Sequence, residues 1–257
     1  GLIEASHSSG SMDSAMREID RRTIMRWVGK YLDQHKRYDD LWTHLDQPMH
    51  PVHFEVSFGT PCRATSDNFE DSQLEDSLST HRPLELDLGH ESIKVTGRID
   101  RIDIGQVGKQ TVFNVIDYKS GAGSGLTTKD IQAGTALQLP LYALAVERLL
   151  FDSGQAVPWQ AGYWLVSKNG YTKSRSQIIS ARNGERIETN PSWHDLVEQV
   201  KQRLRILIAG IRSGQFPMYS VDEQCTSRCP FRTVCRVNQV RALDKSWPPQ
   251  DDEEGAQ

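Results

Sequence analysis

The sequence has 257 residues, 37% hydrophobic and 25% charged, with a formal net charge of −4; this suits a soluble globular protein of one large or two small domains with a sizeable core. No run approaches the roughly 18–20 apolar residues that cross a bilayer, and no signal peptide is legible, so no membrane-spanning helix is expected and a cytoplasmic location is. Nothing in the whole-chain charge announces nucleic acid, and the chain begins with Gly1 rather than Met, as a processed chain or a piece of something longer would.

Residues 1–12, "GLIEASHSSGSM", are Ser-rich and aperiodic and read as a flexible, linker- or tag-like start. Residues 13–240 are expected to form one α/β domain, and 241–257 an acidic tail that ends in "DDEEGAQ". From Asp13 to Trp42 the pattern predicts a helix, with Ile19, Ile24, Trp27, Val28, Tyr31 and Leu32 recurring at three- and four-residue steps. "PVHFEVSFG" alternates as a strand, with Val52, Phe54, Val56 and Phe58 on one face and His53 and Glu55 on the other. Residues 60–82 read as a long polar loop. "LELDLG" and "IKVTGRIDRIDI" read as a hairpin turned at Gly89–Glu91, and "TVFNVIDYK" as a more apolar, central strand. After a Gly-rich loop, "SGAGSG", a helix is predicted over 129–151 with Leu137, Leu141, Leu144, Ala145 and Leu149 inward. "WQAGYWLVSK" and "SRSQIISA" read as strands, and "SWHDLVEQVKQRLRILIAGIRSG" as an amphipathic helix with Ser192 as N-cap and Gly214 as its stop. This order predicts a mixed sheet rather than a regular βαβ array.

The run "VFNVIDYKSG" ends in opposite charges two residues apart. Residues i and i+2 of a strand share a face, so Asp117 and Lys119 are side by side and Tyr118 is on the other face. In "GRIDRID", Asp100 and Asp103 point to opposite faces, so only one can join Asp117, and Gly97 permits a close approach or a bulge. If the strands over 92–104 and 111–119 pair, Asp100 comes across from the end of the second. Two carboxylates repel unless a cation lies between them, and hard oxygen ligands suit Mg²⁺. A lysine beside such an ion can orient a water for in-line attack on phosphorus and stabilise developing charge. The plainer alternative is a surface Asp–Lys pair with an unrelated Asp. Gln138 and Tyr142, at i and i+4, add two polar groups to an otherwise apolar helix face.

Three of the four cysteines, Cys225, Cys229 and Cys235, form C-x3-C-x5-C; the fourth is Cys62. Without a secretion signal, clustered thiols read as ligands for zinc or an iron–sulfur cluster rather than as disulfides. Lys201, Arg203, Arg205, Arg212, Arg228, Arg232, Arg236 and Arg241 make the same region locally basic, either a phosphate-binding face or an ordinary solvated one. "SGAGSGLTTKD" lacks the G-x-x-x-x-G-K-[ST] order, so no nucleotide site is assigned there.

Taken together, G-x-x-D-R-x-D, an apolar strand ending D-Y-K-x-G and a helix with Q-L-x-x-Y resemble the PD-(D/E)XK nuclease superfamily, most closely its RecB/AddB-like branch, over about Phe54 to Arg236. The resemblance implies a restriction-endonuclease-like core with a mixed central sheet flanked by helices. It implies Mg²⁺ or Mn²⁺ on Asp100, Asp117 and the Tyr118 carbonyl, Lys119 as the catalytic lysine, and Gln138 and Tyr142 steadying that lysine and contacting DNA. Glu55 matches an acidic position on the preceding strand, as a metal ligand or a structural residue. The resemblance also implies a 4Fe–4S cluster on Cys225, Cys229 and Cys235 with Cys62 as fourth ligand, zinc being the alternative. The cysteine spacing has one residue more than the branch pattern, and the branch's G-x-x-x-H segment is not found: His35, His44 and His7 lack its context. The implied function is a DNA exonuclease module in repair or recombination, partnered by a helicase subunit or an upstream helicase-like region. The rivals are a catalytically inactive nuclease-fold scaffold and a zinc-stapled interaction protein.

Overall fold

The computed structural model describes residues 11–59, 76–119, 128–151, 155–183 and 186–215. The Ser-rich start up to residue 10, most of the polar loop, the Gly-rich loop, all four cysteines and the acidic tail lie outside the described residues. Helix α1 (Ser11–Asp40) confirms the predicted helix, but its apolar stripe divides. Tyr31 packs inward with Tyr38 and Trp42, whereas Ile19, Ile24, Trp27, Val28 and Leu32 are exposed. Three- and four-residue spacing puts side chains on one face; it does not supply a partner along the whole face. The helix is anchored through Lys30, whose Nζ donates to the Ser167 carbonyl at 3.2 Å, and Gln34, whose Nε2 donates to the Val166 and Lys168 carbonyls.

Strand β1 (Gln47–Phe58) carries a register shift between Pro51 and His53, and Glu55 has a positive φ of 55°. The expected alternation therefore breaks: Val56 and Phe58 are buried, but Val52 and Phe54 are exposed. Strands β2 (Leu84–Asp87) and β3 (Ser92–Val95) form the predicted hairpin, closed by Leu88 N donating to Glu91 O with Gly89 at φ +91°. The strand expected over 92–104 is two strands. β3 stays in this separate hairpin, and β4 (Gly97–Val107) enters the main sheet after Thr96.

β5 (Gln110–Lys119) is central, as its continuous apolar run predicts, and is buried from Val112 to Asp117. The helix expected over 129–151 is also broken. α2 (Thr128–Gln132) is closed by Gly134 at φ +75°, a left-handed conformation that glycine adopts without steric penalty. α3 (Gln138–Ala145) follows and runs into a π-helical turn over Val146–Leu150. Leu144 and Ala145 are buried as expected, and Leu137, Leu141 and Leu149 partly so. β6 (Ala156–Leu165) and β7 (Gly170–Ile178) complete a five-stranded sheet in the order β1-β4-β5-β6-β7, antiparallel except for β5–β6. A parallel pair needs a crossover, and α2 and α3 lie within it. The segment "SRSQIISA" spans the end of β7 and the start of β8 (Ser180–Asn183), which pairs with β9 (Arg186–Thr189). α4 (Pro191–Arg212) is capped by Asn190, not Ser192: the Asn190 Oδ1 accepts from Ser192 N at 3.0 Å, with Pro191 as the first helical residue.

One face of the sheet packs against α3 and α4 through Phe113, Val115, Leu144 and Val200. The other carries Ile116, Trp164 and the inward part of α1. The result is a mixed α/β architecture of the restriction-endonuclease-like kind.

Candidate active site

β4 and β5 pair antiparallel with Arg101 opposite Ile116 and Ile102 opposite Val115, and the next step of that register brings Asp100 across from Asp117. The hairpin inferred from sequence is thus formed. Asp117 is 2% exposed. Lys119 Nζ lies 2.6 Å from Asp117 Oδ2, so the two charges share one side of the strand end. Tyr118 points the other way and meets Tyr31 and Trp164. Asp100 Oδ2 accepts from the Tyr118 backbone N–H at 2.8 Å, which ties the acid of one strand to the charged end of the next.

The lysine is held from three sides. Its ammonium donates to Gln138 Oε1 at 3.3 Å, and Gln138 Nε2 donates to the Tyr142 hydroxyl at 3.1 Å. It also sits 5.5 Å from the centre of the Tyr163 ring, which β6 places opposite Asp117. Tyr142 is seated against Gly97, where an added Cβ would stand 2.9 Å from Tyr142 Cε1 and 3.0 Å from Phe58 Cε1. The glycine ahead of Asp100 is therefore the close-approach residue expected from sequence, and what approaches is an aromatic ring.

Burial pushes the Asp117 carboxyl above its ordinary pKa; the Lys119 hydrogen bond opposes this and the neighbouring Asp100 charge adds to it. Tyr163 is pushed up to about 12 by burial, with Asp117 and Asp130 contributing. Asp117 Oδ2 is buried and faces the Lys119 ammonium at 2.6 Å. A buried carboxylate whose several lone pairs are not all used by one ammonium, with a second carboxylate beside it, fits a small divalent ion.

The other expected residues fare differently. Glu55 is brought opposite Asp100 by the β1–β4 register, but its carboxylate pairs with Arg98, and both side chains are exposed. Among the described residues no group of three or more His, Cys, Asp or Glu side chains gathers to hold a metal. His35 pairs with Asp39 and lies tilted against Trp164 on the face opposite Asp117; His44 lies beside Trp42. Of the basic residues on α4, Lys201 pairs with Glu198, Arg205 donates to the Leu88 carbonyl and Arg212 pairs with Glu91, so these serve ordinary structural contacts.

Sequence reading missed one buried group behind the site. Arg101 and Asp103 are both fully buried and joined by two hydrogen bonds of 2.6 Å. Their i, i+2 spacing on a strand was the available signal.

A model of the PD-(D/E)XK nuclease superfamily matches residues 7–236. The chain is also similar to several bacterial proteins, each named as a subunit of an ATP-dependent helicase/deoxyribonuclease. That of Latilactobacillus sakei is 23% identical over 164 residues, 60% of this chain and 14% of that protein. Those of Caldanaerobacter subterraneus subsp. tengcongensis and Moorella thermoacetica are each 32% identical, over 125 and 142 residues, covering 48% and 54% of this chain and 10% of either protein. The matched region is at most 14% of the length of these three relatives.

Proposed function

This chain belongs to the PD-(D/E)XK nuclease superfamily, and on that premise we propose that it is a metal-dependent DNA nuclease module, an exonuclease of DNA repair or recombination. The observation that carries the proposal is the strand end where Asp100 meets Asp117, with the buried Asp117 carboxylate 2.6 Å from the Lys119 ammonium. The names of the helicase/deoxyribonuclease relatives support DNA as substrate and a helicase partner, either a separate subunit or another region of a longer chain.

Asp100, Asp117 and the Tyr118 carbonyl would hold Mg²⁺ or Mn²⁺. Bound there, the ion would supply Lewis acidity toward a phosphate oxygen and make a water more acidic. Lys119 orients the attacking water by hydrogen bonding and offsets the negative charge that grows on the phosphate. Gln138 fixes the lysine's direction through its 3.3 Å contact, and Tyr142 fixes Gln138 through the 3.1 Å contact to its amide. The Tyr163 ring under the ammonium keeps it on the carboxylate side. Cys225, Cys229 and Cys235, with Cys62, are proposed to hold a 4Fe–4S cluster.

The test is DNA degradation by the purified chain with Mg²⁺. Lys119→Ala should abolish degradation while the folded state persists by circular dichroism; equal activity in that variant sinks the mechanism. Calorimetry separates this reading from an inactive scaffold: Mn²⁺ should bind the wild type and not Asp117→Ala.

A further inference from the structure

Behind the carboxylate pair, Arg101 is completely enclosed. Its Nε and Nη2 donate to the two oxygens of Asp103, and its Nη1 donates to the hydroxyls of Tyr118 and Tyr31 at 3.1 Å each. The rings of Tyr38 and Trp164 lie 5.2 and 5.0 Å from the guanidinium carbon. A buried ion pair of this kind seldom adds net stability over a well-packed apolar pair, because desolvation offsets the attraction. Its value then lies in what it orients.

What it orients is Tyr118, which stands in sequence between Asp117 and Lys119. The Tyr118 residue is gripped at both ends: its backbone N–H by Asp100 at 2.8 Å, its phenol by Arg101. Consecutive residues of β4 thus hold one residue of β5 from its two sides. In a strand, the residues on either side of an anchored one are aimed at the opposite face. Anchoring the phenol therefore sets the rotation of the strand end, and with it the directions of Asp117, Lys119 and the Tyr118 carbonyl. We propose that Arg101 is a positioning residue: acting through Tyr118, and with Tyr31 of α1 completing the grip, it holds the strand end in its cation-binding geometry. The proposal rests on the metal-dependent reading above for what that strand end binds.

The experiment uses the full chain and two variants. Tyr118→Phe removes one hydroxyl and leaves the backbone carbonyl. Arg101→Met with Asp103→Leu replaces the ion pair by apolar side chains and leaves no charge stranded. Two readouts are taken: hydrogen exchange of the Tyr118 and Lys119 amides in metal-free protein, and the Mn²⁺ dissociation constant by calorimetry. Both variants should keep a cooperative thermal transition, exchange the Tyr118 amide about tenfold faster, and bind Mn²⁺ about tenfold more weakly, the lower end of what lost outer-shell support costs a metal site. A purely structural role would instead alter protection throughout the protein. Folded variants with wild-type exchange at Tyr118, or with faster exchange and unchanged Mn²⁺ affinity, overturn the proposal. A wild type that binds no Mn²⁺ while the variants still loosen Tyr118 overturns the metal-dependent reading and leaves the grip standing. If the double variant does not fold, Tyr118→Phe alone decides.

Discussion

Gly97→Ala isolates the link between packing and the proposed catalytic lysine. Gly97 has no left-handed φ, so alanine adds no backbone strain, only a methyl group. That methyl would stand 2.9 Å from Tyr142 Cε1 and 3.0 Å from Phe58 Cε1 and Cζ. Carbon atoms settle at about 3.5–4.0 Å, so the Tyr142 ring or the strand has to move by at least about 0.6 Å. Phe58 packs edge-on to Tyr142 at 6.0 Å and closes the easy way out. Overpacking of this kind costs about 1–3 kcal/mol. The displaced ring carries its hydroxyl away from Gln138 Nε2, now at 3.1 Å, and Gln138 loses its hold on Lys119. Misplacing a catalytic group by about 1 Å costs up to about a hundredfold in rate, so DNA degradation should fall by about tenfold to a hundredfold. Urea denaturation measures the first effect and a labelled-DNA degradation assay with Mg²⁺ the second. In the Tyr142→Ala background, Gly97→Ala should cost less stability than it does alone, because the nearer clashing ring is gone, while activity stays lost. Wild-type stability and activity in Gly97→Ala, or a stability cost of Gly97→Ala that is the same with and without Tyr142→Ala, would refute the reasoning.

Other outcomes follow from the same structure. Burial holds the Asp117 pKa above its unfolded value, so the native state retains this proton longer than the unfolded chain does. Metal-free stability contributed by this group is therefore highest below the unfolded pKa and declines as pH rises toward the folded one; Asp117→Asn should raise the metal-free melting temperature at pH 7 while abolishing Mn²⁺ binding, as scanning and titration calorimetry will show. Asn190→Ala removes the cap of α4 and should cost about 1 kcal/mol in urea denaturation without changing activity per folded molecule. Anaerobically purified protein should be brown and contain iron and acid-labile sulfide, and Cys235→Ser should lose both; colourless protein with stoichiometric zinc contradicts the cluster assignment.

Much of the site was readable in the chain because strands and helices impose short, rigid periods. Two residues along β5 put Asp117 beside Lys119, and four along α3 stack Gln138 on Tyr142. The continuous apolar run of β5 marked the middle of the sheet, and Gly97 marked a close approach. Periodicity failed wherever the answer depended on what lay opposite. The stripe on α1 has helical spacing throughout, yet Ile19, Ile24, Trp27 and Leu32 stay exposed among the described residues, while Tyr31 and Tyr38 pack on the sheet. Glu55 has the expected place in β1, but its positive φ and the Arg98 guanidinium decide where its carboxylate goes. Gly134 ends α2 inside a run whose hydrophobic pattern continues past it.

By itself, then, the sequence determined which side chains share a face and which charges fall at a strand end, because these follow from bond geometry over two to four residues. Only the tertiary structure decided that Asp100 meets Asp117, that Arg101 closes on Asp103 and Tyr118 behind them, and that, among the described residues, the apolar stripe of α1 is covered only toward its C-terminal end. Those outcomes depend on register between strands and on which surfaces are covered, and both are set by contacts between residues far apart in the chain.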